Sequence, residues 1–442
     1  WLVTKIGTPP AFTRPAAPSA PTATPAFDPS SFNPHDPSYL ANPYPTYAQF
    51  REQAPVFWVE PYNSYWVFRY EDAMRVFNDS DNFGPAPGPP APPGVNDFMK
   101  NRTEPPPAIP PGPFDVLANF PEGLFFLDPP EHGHVRGLLE PMFAQSIASA
   151  TAVAAIAARQ KLVAAKTSGM IELYMDYALP MPAAVLMSVM GIPQQDWMGI
   201  GGWIGANLAG HDITAPAGVQ AAGATSYLAL IGYLQGLMRG CPFHATKGQM
   251  LDLMTTEGVA PGKMEAAQVQ TTSANLMIAG YLSTTFLIAT GMYNLLNTNQ
   301  LELLRNQPSL LMNAIDEMLR FDAPAQLVDR FVAKQTVTLG GKTLIAGDPV
   351  TVVLGSANHD PNAFPNPDSF DITRKFDPKW PHLGFGWGIH RCIGAPLVMG
   401  HTAPVAFQML LDELPVIKLA GTPQWQTDPY LRSVSNLPLT IG

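Results

Sequence analysis

Between Glu265 and Glu302 the chain carries no Asp, Glu, Lys or Arg. A stretch that long without charge has two outcomes: a helix in a bilayer, or a helix buried on all sides inside a large protein. Residues 274–296 are apolar enough to read as a span. They also hold Asn275, Gly280, Ser283, Thr284, Thr285, Thr290, Gly291 and Asn294. Polar side chains spread along the segment suit a helix packed against protein, so the expectation is a buried core helix and no stable membrane insertion.

A chain of 442 residues that is 46% hydrophobic and only 14% charged can bury a large core around such a helix. Its net charge of −10 argues against a nucleic-acid partner. Two cysteines, Cys241 and Cys392, make neither a disulfide framework nor a four-cysteine zinc site, which points to a reducing, cytoplasmic setting. Residues 1–34, rich in Pro and Ala, read as a flexible extension. Residues 35–442 show no compositional break and read as one catalytic domain. Inside it, residues 84–113 hold 12 prolines in 30 positions, which excludes regular helix and central strand and suggests a lid insertion. Phe83, Phe98, Phe114 and Phe120 flank or punctuate it.

The rest reads as mainly α with a small β region. Helices are expected over 47–53, from Tyr70, over 128–170, 181–240, 262–297 and 300–321. Strands are expected around 56–59, 65–69, 335–339, 342–345 and 349–353, with a Gly340-Gly341 turn. Asp128 is expected as an N-cap with Pro129 in the first helical position.

Residues 385–394 read Phe-Gly-Trp-Gly-Ile-His-Arg-Cys-Ile-Gly. Gly386 and Gly388 let the backbone turn tightly and approach a bound group. The apolar run from Ala395 reads as a helix start, and a cysteine before it faces free N–H groups that favour its thiolate. A thiolate is a strong donor to iron. A plain Gly-rich loop around a buried cysteine is the other reading. A Cys392–His390 nucleophile pair lacks an orienting group in the sequence.

The pattern Phe-Gly-x-Gly-x-His-x-Cys-x-Gly is filled at each fixed position and resembles the haem-ligand loop of the cytochrome P450 family. The resemblance implies haem b (iron protoporphyrin IX), with Cys392 as the metal ligand and Phe385, Gly386 and His390 against the cofactor. It implies a triangular fold with haem between the long buried helix and the cysteine loop.

Further stretches match in the family's order. Glu317 and Arg320 are three apart on a predicted helix and can pair directly. An exposed pair of this kind contributes little; the resemblance implies a buried brace, with Arg374 as its third member. His132 and Arg136, four apart, share a helix face that is either a solvated basic face or, as the resemblance implies, a haem-propionate contact. Arg330 matches another such contact. The Ala279-Gly280 step lets a buried helix pass close to a flat cofactor. It resembles the start of the family's oxygen-binding helix, which makes Ser283 and Thr284 the candidate catalytic hydroxyls. Leu282 stands where the family usually has an acid. The alternative for these hydroxyls is bonding back to their own helix.

The resemblance implies a soluble bacterial-type haem-thiolate monooxygenase that hydroxylates or O-dealkylates a small to medium apolar substrate. Electrons would come from an external ferredoxin and ferredoxin reductase, and the protein would act as a monomer. A peroxide-using or rearranging haem-thiolate enzyme is the alternative that Leu282 raises; a non-catalytic haem sensor or carrier is the alternative of another class.

Overall fold

The computed structural model describes residues 27–85, 123–212, 214–240 and 245–442. Most of the expected lid, Phe98, Phe114, Phe120, Cys241 and the first 26 residues lie outside them.

The uncharged stretch forms one helix, Ala266–Asn297, with buried side chains on every face along its C-terminal half. Among the described residues it alone is long and apolar enough to cross a membrane, and 67% of its most apolar window is buried inside the protein. Protein therefore replaces lipid around it. Gly291 shows how tightly: a Cβ there would lie 2.5 Å from Met318 Sδ and 3.0 Å from Phe407 Cζ. The missing side chain lets the helices Leu311–Phe321 and Ala403–Glu413 close on the core helix. Helices Glu131–Ser146, Ala150–Ser168, Pro180–Met190, Trp197–Ala209 and Ala217–Arg239 complete the helical body.

A five-stranded sheet stands beside it. Its order is Val56–Val59, Ser64–Val67, Pro349–Val353, Leu327–Val332, Phe83–Gly84, antiparallel except between the second and third. The register sets Arg330 opposite Val350 and Phe83 opposite Val332. The Gly340-Gly341 turn forms as expected between Val337–Leu339 and Lys342–Leu344, with φ of 51° and 78°. Positive φ at both central residues is what a two-residue hairpin turn needs.

Two local expectations are corrected. Asp128 is not a cap: the helix starts at Glu131 with Pro130 before it and no side-chain cap. A residue followed by proline is disfavoured in helical geometry, so Pro129 cannot open the helix ahead of Pro130. The last residues of the expected N-terminal extension are packed rather than flexible, because Phe27 and Phe32 meet Phe50, Tyr39 and Trp66 edge-on. Aromatic burial there outweighs the proline-rich composition.

Candidate active site

The cysteine loop is shaped by its glycines and held at its base. Gly388 has φ of 72°, and a Cβ there would sit 2.1 Å from the Phe77 carbonyl oxygen, so no other residue fits. Gly384 passes 2.7 Å (from its virtual Cβ) from the Leu319 carbonyl. The Leu383 N–H donates to Asn358 Oδ1 at 2.7 Å, and the Cys392 N–H closes the loop on the Phe385 carbonyl at 2.9 Å. The helix that follows begins at Ala395, takes a π turn over Val398–Thr402, and runs on to Glu413.

Cys392 has accessible area and lines a cavity. Burial pushes its thiol up. The N–H groups of Gly394 and Ala395 and the charges of Arg136 and Arg391 pull the other way and do not win. The N–H groups at the helix start do favour the thiolate, as expected, but desolvation opposes them and dominates in the protein by itself.

The cavity measures about 310 Å³, within the range of about 300–1,000 Å³ usual for ligand pockets. Cys392, Phe385, Gly386 and Ile393 of the cysteine loop line it, as do Ala279, Gly280, Ser283 and Thr284 of the core helix. Phe125, Leu186, Leu276, Val328 and similar side chains close it. Among the described residues no Asp or Glu lines it. Ser283 donates to the Ala279 carbonyl at 2.9 Å, the back-bonded arrangement weighed from the sequence. Thr284 is buried against the cavity with no hydrogen-bond partner among the described residues. Leu282 packs into the core.

At the rim, sequence-distant basic side chains converge. The rings of His132 and His390 lie 4.1 Å apart. Their Nε2 atoms are buried without a hydrogen-bond partner among the described residues. Burial lowers His132, helped by Arg136 and Arg330. His390 is pushed down to about 3 by burial, then by Arg330, His132 and Arg136. Arg330 lines the cavity, lies over the Phe77 ring at 5.6 Å and donates to its neighbour's carbonyl, that of Asp329, at 2.7 Å. Burial lowers it to about 10. Arg136 stands close enough to lower His132 and His390, and it donates to Glu140 and to the carbonyls of Ile389 and Arg391.

Residues 247–414 match the family model described as Cytochrome P450. The chain is 30% identical over 405 residues to mycinamicin IV hydroxylase/epoxidase of Micromonospora griseorubida, covering 89% of this chain and 94% of the relative. It is 29% identical over 419 residues to cytochrome P450 monooxygenase PikC of Streptomyces venezuelae, covering 91% of each. The chain belongs to the cytochrome P450 family. Among solved structures, that of CalO2 superposes with a TM-score of 0.78 at 25% identity, covering 93% of this chain and 98% of that one. The protein is accordingly a P450 monooxygenase, an oxidoreductase whose family binds haem through a cysteine thiolate.

The residues of this P450 fit that group. Cys392, His390 and Arg330 line a mostly apolar cavity, and the buried Nε2 atoms of His390 and of the adjacent His132 have no hydrogen-bond partner among the described residues. Buried polar atoms are rarely left unpaired without reason, and carboxylates such as the haem propionates would satisfy these.

Below the loop, Glu317 and Arg320 are fully buried and paired twice, at 2.7 and 2.8 Å. Arg374 donates to the same carboxylate at 2.9 Å. Both arginines then cap carbonyls of the irregular stretch 358–369. Sequence reasoning missed a second buried pair, Asp322 with Arg432 at 2.7 Å. It is joined by Asn294 and Tyr44, with Arg432 over the Trp425 ring. The side chains bonded to Asp322 lie 28, 110 and 278 positions from it, and no spacing announces them. Asn358, in a polar Asn-His-Asp triplet, holds both the loop and Arg320.

Proposed function

We propose that Cys392 ligates the iron of haem b. In this reading His132, His390 and Arg330 hold the propionates, and Phe385 and Gly386 lie against one face of the ring. Ala279 and Gly280 lie against the other. The observation that carries the reading is that Cys392 and the Ala279–Thr284 turn line one apolar cavity, beside two buried imidazole nitrogens without a partner among the described residues. Bound haem supplies the chemistry of O₂ activation: one oxygen atom enters a substrate C–H bond and the other leaves as water, with two electrons and two protons consumed.

The chain's own residues set the conditions. The apolar walls from Phe125, Leu186, Leu276 and Val328 exclude water and select a neutral, apolar substrate of small to medium size. Hydroxylation or O-dealkylation follows from which carbon they present. Thr284 offers a hydroxyl toward the cavity, where it can hold a proton-bearing water. Ser283 already spends its proton on the helix. The electrons come from an external ferredoxin and its reductase. One catalytic unit from residue 35 onward, acting as a cytoplasmic monomer, completes the proposal. The decisive test is the reduced protein under carbon monoxide: the long-wavelength Soret band of thiolate ligation is expected, and must disappear in Cys392→Ser.

A second reading, peroxide use, draws on two observations: Leu282 packed into the core, and the lack of a lining carboxylate among the described residues. Turnover with peroxide alone, compared with turnover on reduced ferredoxin, separates the two. Fast peroxide turnover with none from ferredoxin would overturn the monooxygenase cycle.

A further inference from the structure

His359 does not line the cavity, but it stands next to the residue that anchors the cysteine loop. Its neighbour Asn358 accepts the Leu383 N–H at the start of that loop, and the Asn358 carbonyl accepts from Arg320. His359 is fully buried, and both of its ring nitrogens have a partner. Nδ1 lies 2.9 Å from Asp368 Oδ1, and Nε2 lies 2.8 Å from the Phe321 carbonyl oxygen. A carbonyl oxygen only accepts, and so does an ionised carboxylate. A neutral imidazole has one N–H and would turn a lone pair on one of these two acceptors. The geometry therefore requires a second proton, on the ring or on Asp368. The Asp368 side chain is 72% exposed, so water solvates its charge. Its bond to His359 also holds its carboxyl below the usual carboxylate range. The proton belongs on the ring.

The surroundings divide over that proton. Burial and the Arg320 charge oppose it; the Asp368 bond, the Phe321 carbonyl and the Asp368 charge favour it. The Tyr44 ring stacks on the imidazole at 3.9 Å, a position that suits a cation. The other charges nearby are paired: Asp322 with Arg432, and Arg51 in the field of Asp360 and Asp368. Two fixed acceptors decide the balance, because losing the second proton turns one bond into a repulsion. They hold the folded-state ring above the ordinary histidine range.

We propose that His359 is a positioning residue that works as a buried imidazolium, fixing Asn358 and through it the start of the cysteine loop, and that rising pH releases this support. The effect on the loop rests on the reading of Cys392 as the iron ligand.

The test uses Asp368→Asn, a change at an exposed side chain, with His359→Gln to assign the ring. Nitrogen NMR of labelled histidines in haem-free protein counts the ring protons. At about pH 7, wild type is expected to show two protonated nitrogens at His359 and Asp368→Asn one. One in wild type would overturn the proposal. If His359→Gln does not fold, the signal that moves in Asp368→Asn identifies the ring. Urea unfolding reads the same proton by linkage. The unfolded ring titrates near 6.5. A native ring raised above that value adds stability that is full below about pH 6.5 and lost as pH rises. In Asp368→Asn burial lowers the ring, so its contribution is full above about pH 6.5 and lost as pH falls. The advantage of wild type should thus be greatest near pH 6 and shrink toward about pH 9; a constant or widening gap would count against the imidazolium. After haem loading, Asp368→Asn at about pH 7 should lose the thiolate band of its carbon monoxide complex about tenfold faster than wild type, the worth of one charge-assisted hydrogen bond. Wild type should quicken toward the variant as pH rises. Equal rates at about pH 7 mean that the proton does not reach the loop, and the positioning role fails. Wild-type protein without any thiolate band would sink the Cys392 reading instead, and the ring protons and the urea gap would still judge the imidazolium.

Discussion

Two groups of buried charge flank the cysteine loop, and they are built on opposite principles. In the brace, Glu317 receives Arg320, Arg374 and the Asp371 N–H, and the arginines finish on backbone carbonyls. At the rim, the rings of His132 and His390 lie against one another with two imidazole nitrogens unpaired among the described residues, and the charge of Arg330, itself offset by Asp329 and Asp128, lowers both histidines. A closed network describes a structural part. An open one, with buried imidazole nitrogens left without a partner, describes a seat for a hydrogen-bonding ligand such as a carboxylate. Burial alone does not separate the two, because Glu317 and His132 are both buried.

The largest effect should come from opening the closed network. Glu317→Gln leaves two arginines sharing a neutral amide in a buried site. Breaking a buried pair of this kind costs about 3–5 kcal/mol, to be read by urea unfolding of the haem-free protein. A loss under about 1 kcal/mol would place the brace with ordinary surface pairs and erase the contrast.

The open network should behave in the reverse way. His132→Leu removes an unpaired polar atom, so the haem-free protein should keep or gain stability. Haem retention should fall about tenfold or more, the worth of a charge-assisted hydrogen bond. Competition of bound haem onto an apo-acceptor protein measures it. A variant that loses fold stability and holds haem as tightly as wild type would make His132 a core residue.

How much of this was legible beforehand depends on chain distance. Glu317 and Arg320 are one helical turn apart, and Phe385 to Gly394 are consecutive, so both could be read from spacing and motif. The Gly340-Gly341 hairpin and the uncharged core helix were legible for the same local reason. Asp322–Arg432 spans 110 positions and carries no local signature. The direction of Arg136 was equally hidden: a helix face says that it meets the loop's side of the cavity, not which acceptor it finds. The Asp128 cap failed because two prolines in a row delay the helix, a steric effect that the capping pattern does not weigh.

The contrast also has a smaller expected signature in pH. Burial holds His132 and His390 below the ordinary histidine range in the native haem-free protein, His390 at about 3. The unfolded chain titrates near 6.5. Between those values the unfolded state binds more protons, so stability is full above about pH 6.5 and falls as pH drops toward 3. Bound haem carboxylates should flatten this slope by stabilising the charged imidazoles. Unfolding of haem-free and haem-loaded protein across pH 6.5 to 4.5 tests it, with a doubly substituted His132→Leu, His390→Leu control. Equal slopes in haem-free wild type and control would mean that the imidazoles are not the source.

The smallest effect concerns the core-helix wall of the cavity, where the same logic of closed and open polar groups separates neighbours on one helix. Ser283 gives its proton to Ala279, so Ser283→Ala removes a bond that the helix does not need, at a cost within about 0.5 kcal/mol. Product formed per NAD(P)H consumed should stay within about twofold of wild type. Thr284 presents an unengaged hydroxyl to the cavity, and Thr284→Ala should lower that ratio clearly, since no lining carboxylate among the described residues stands in for it. Should Ser283→Ala uncouple turnover and Thr284→Ala leave it intact, the back-bond to Ala279 must break during turnover. An unpaired group would then no longer mark a functional one at this wall.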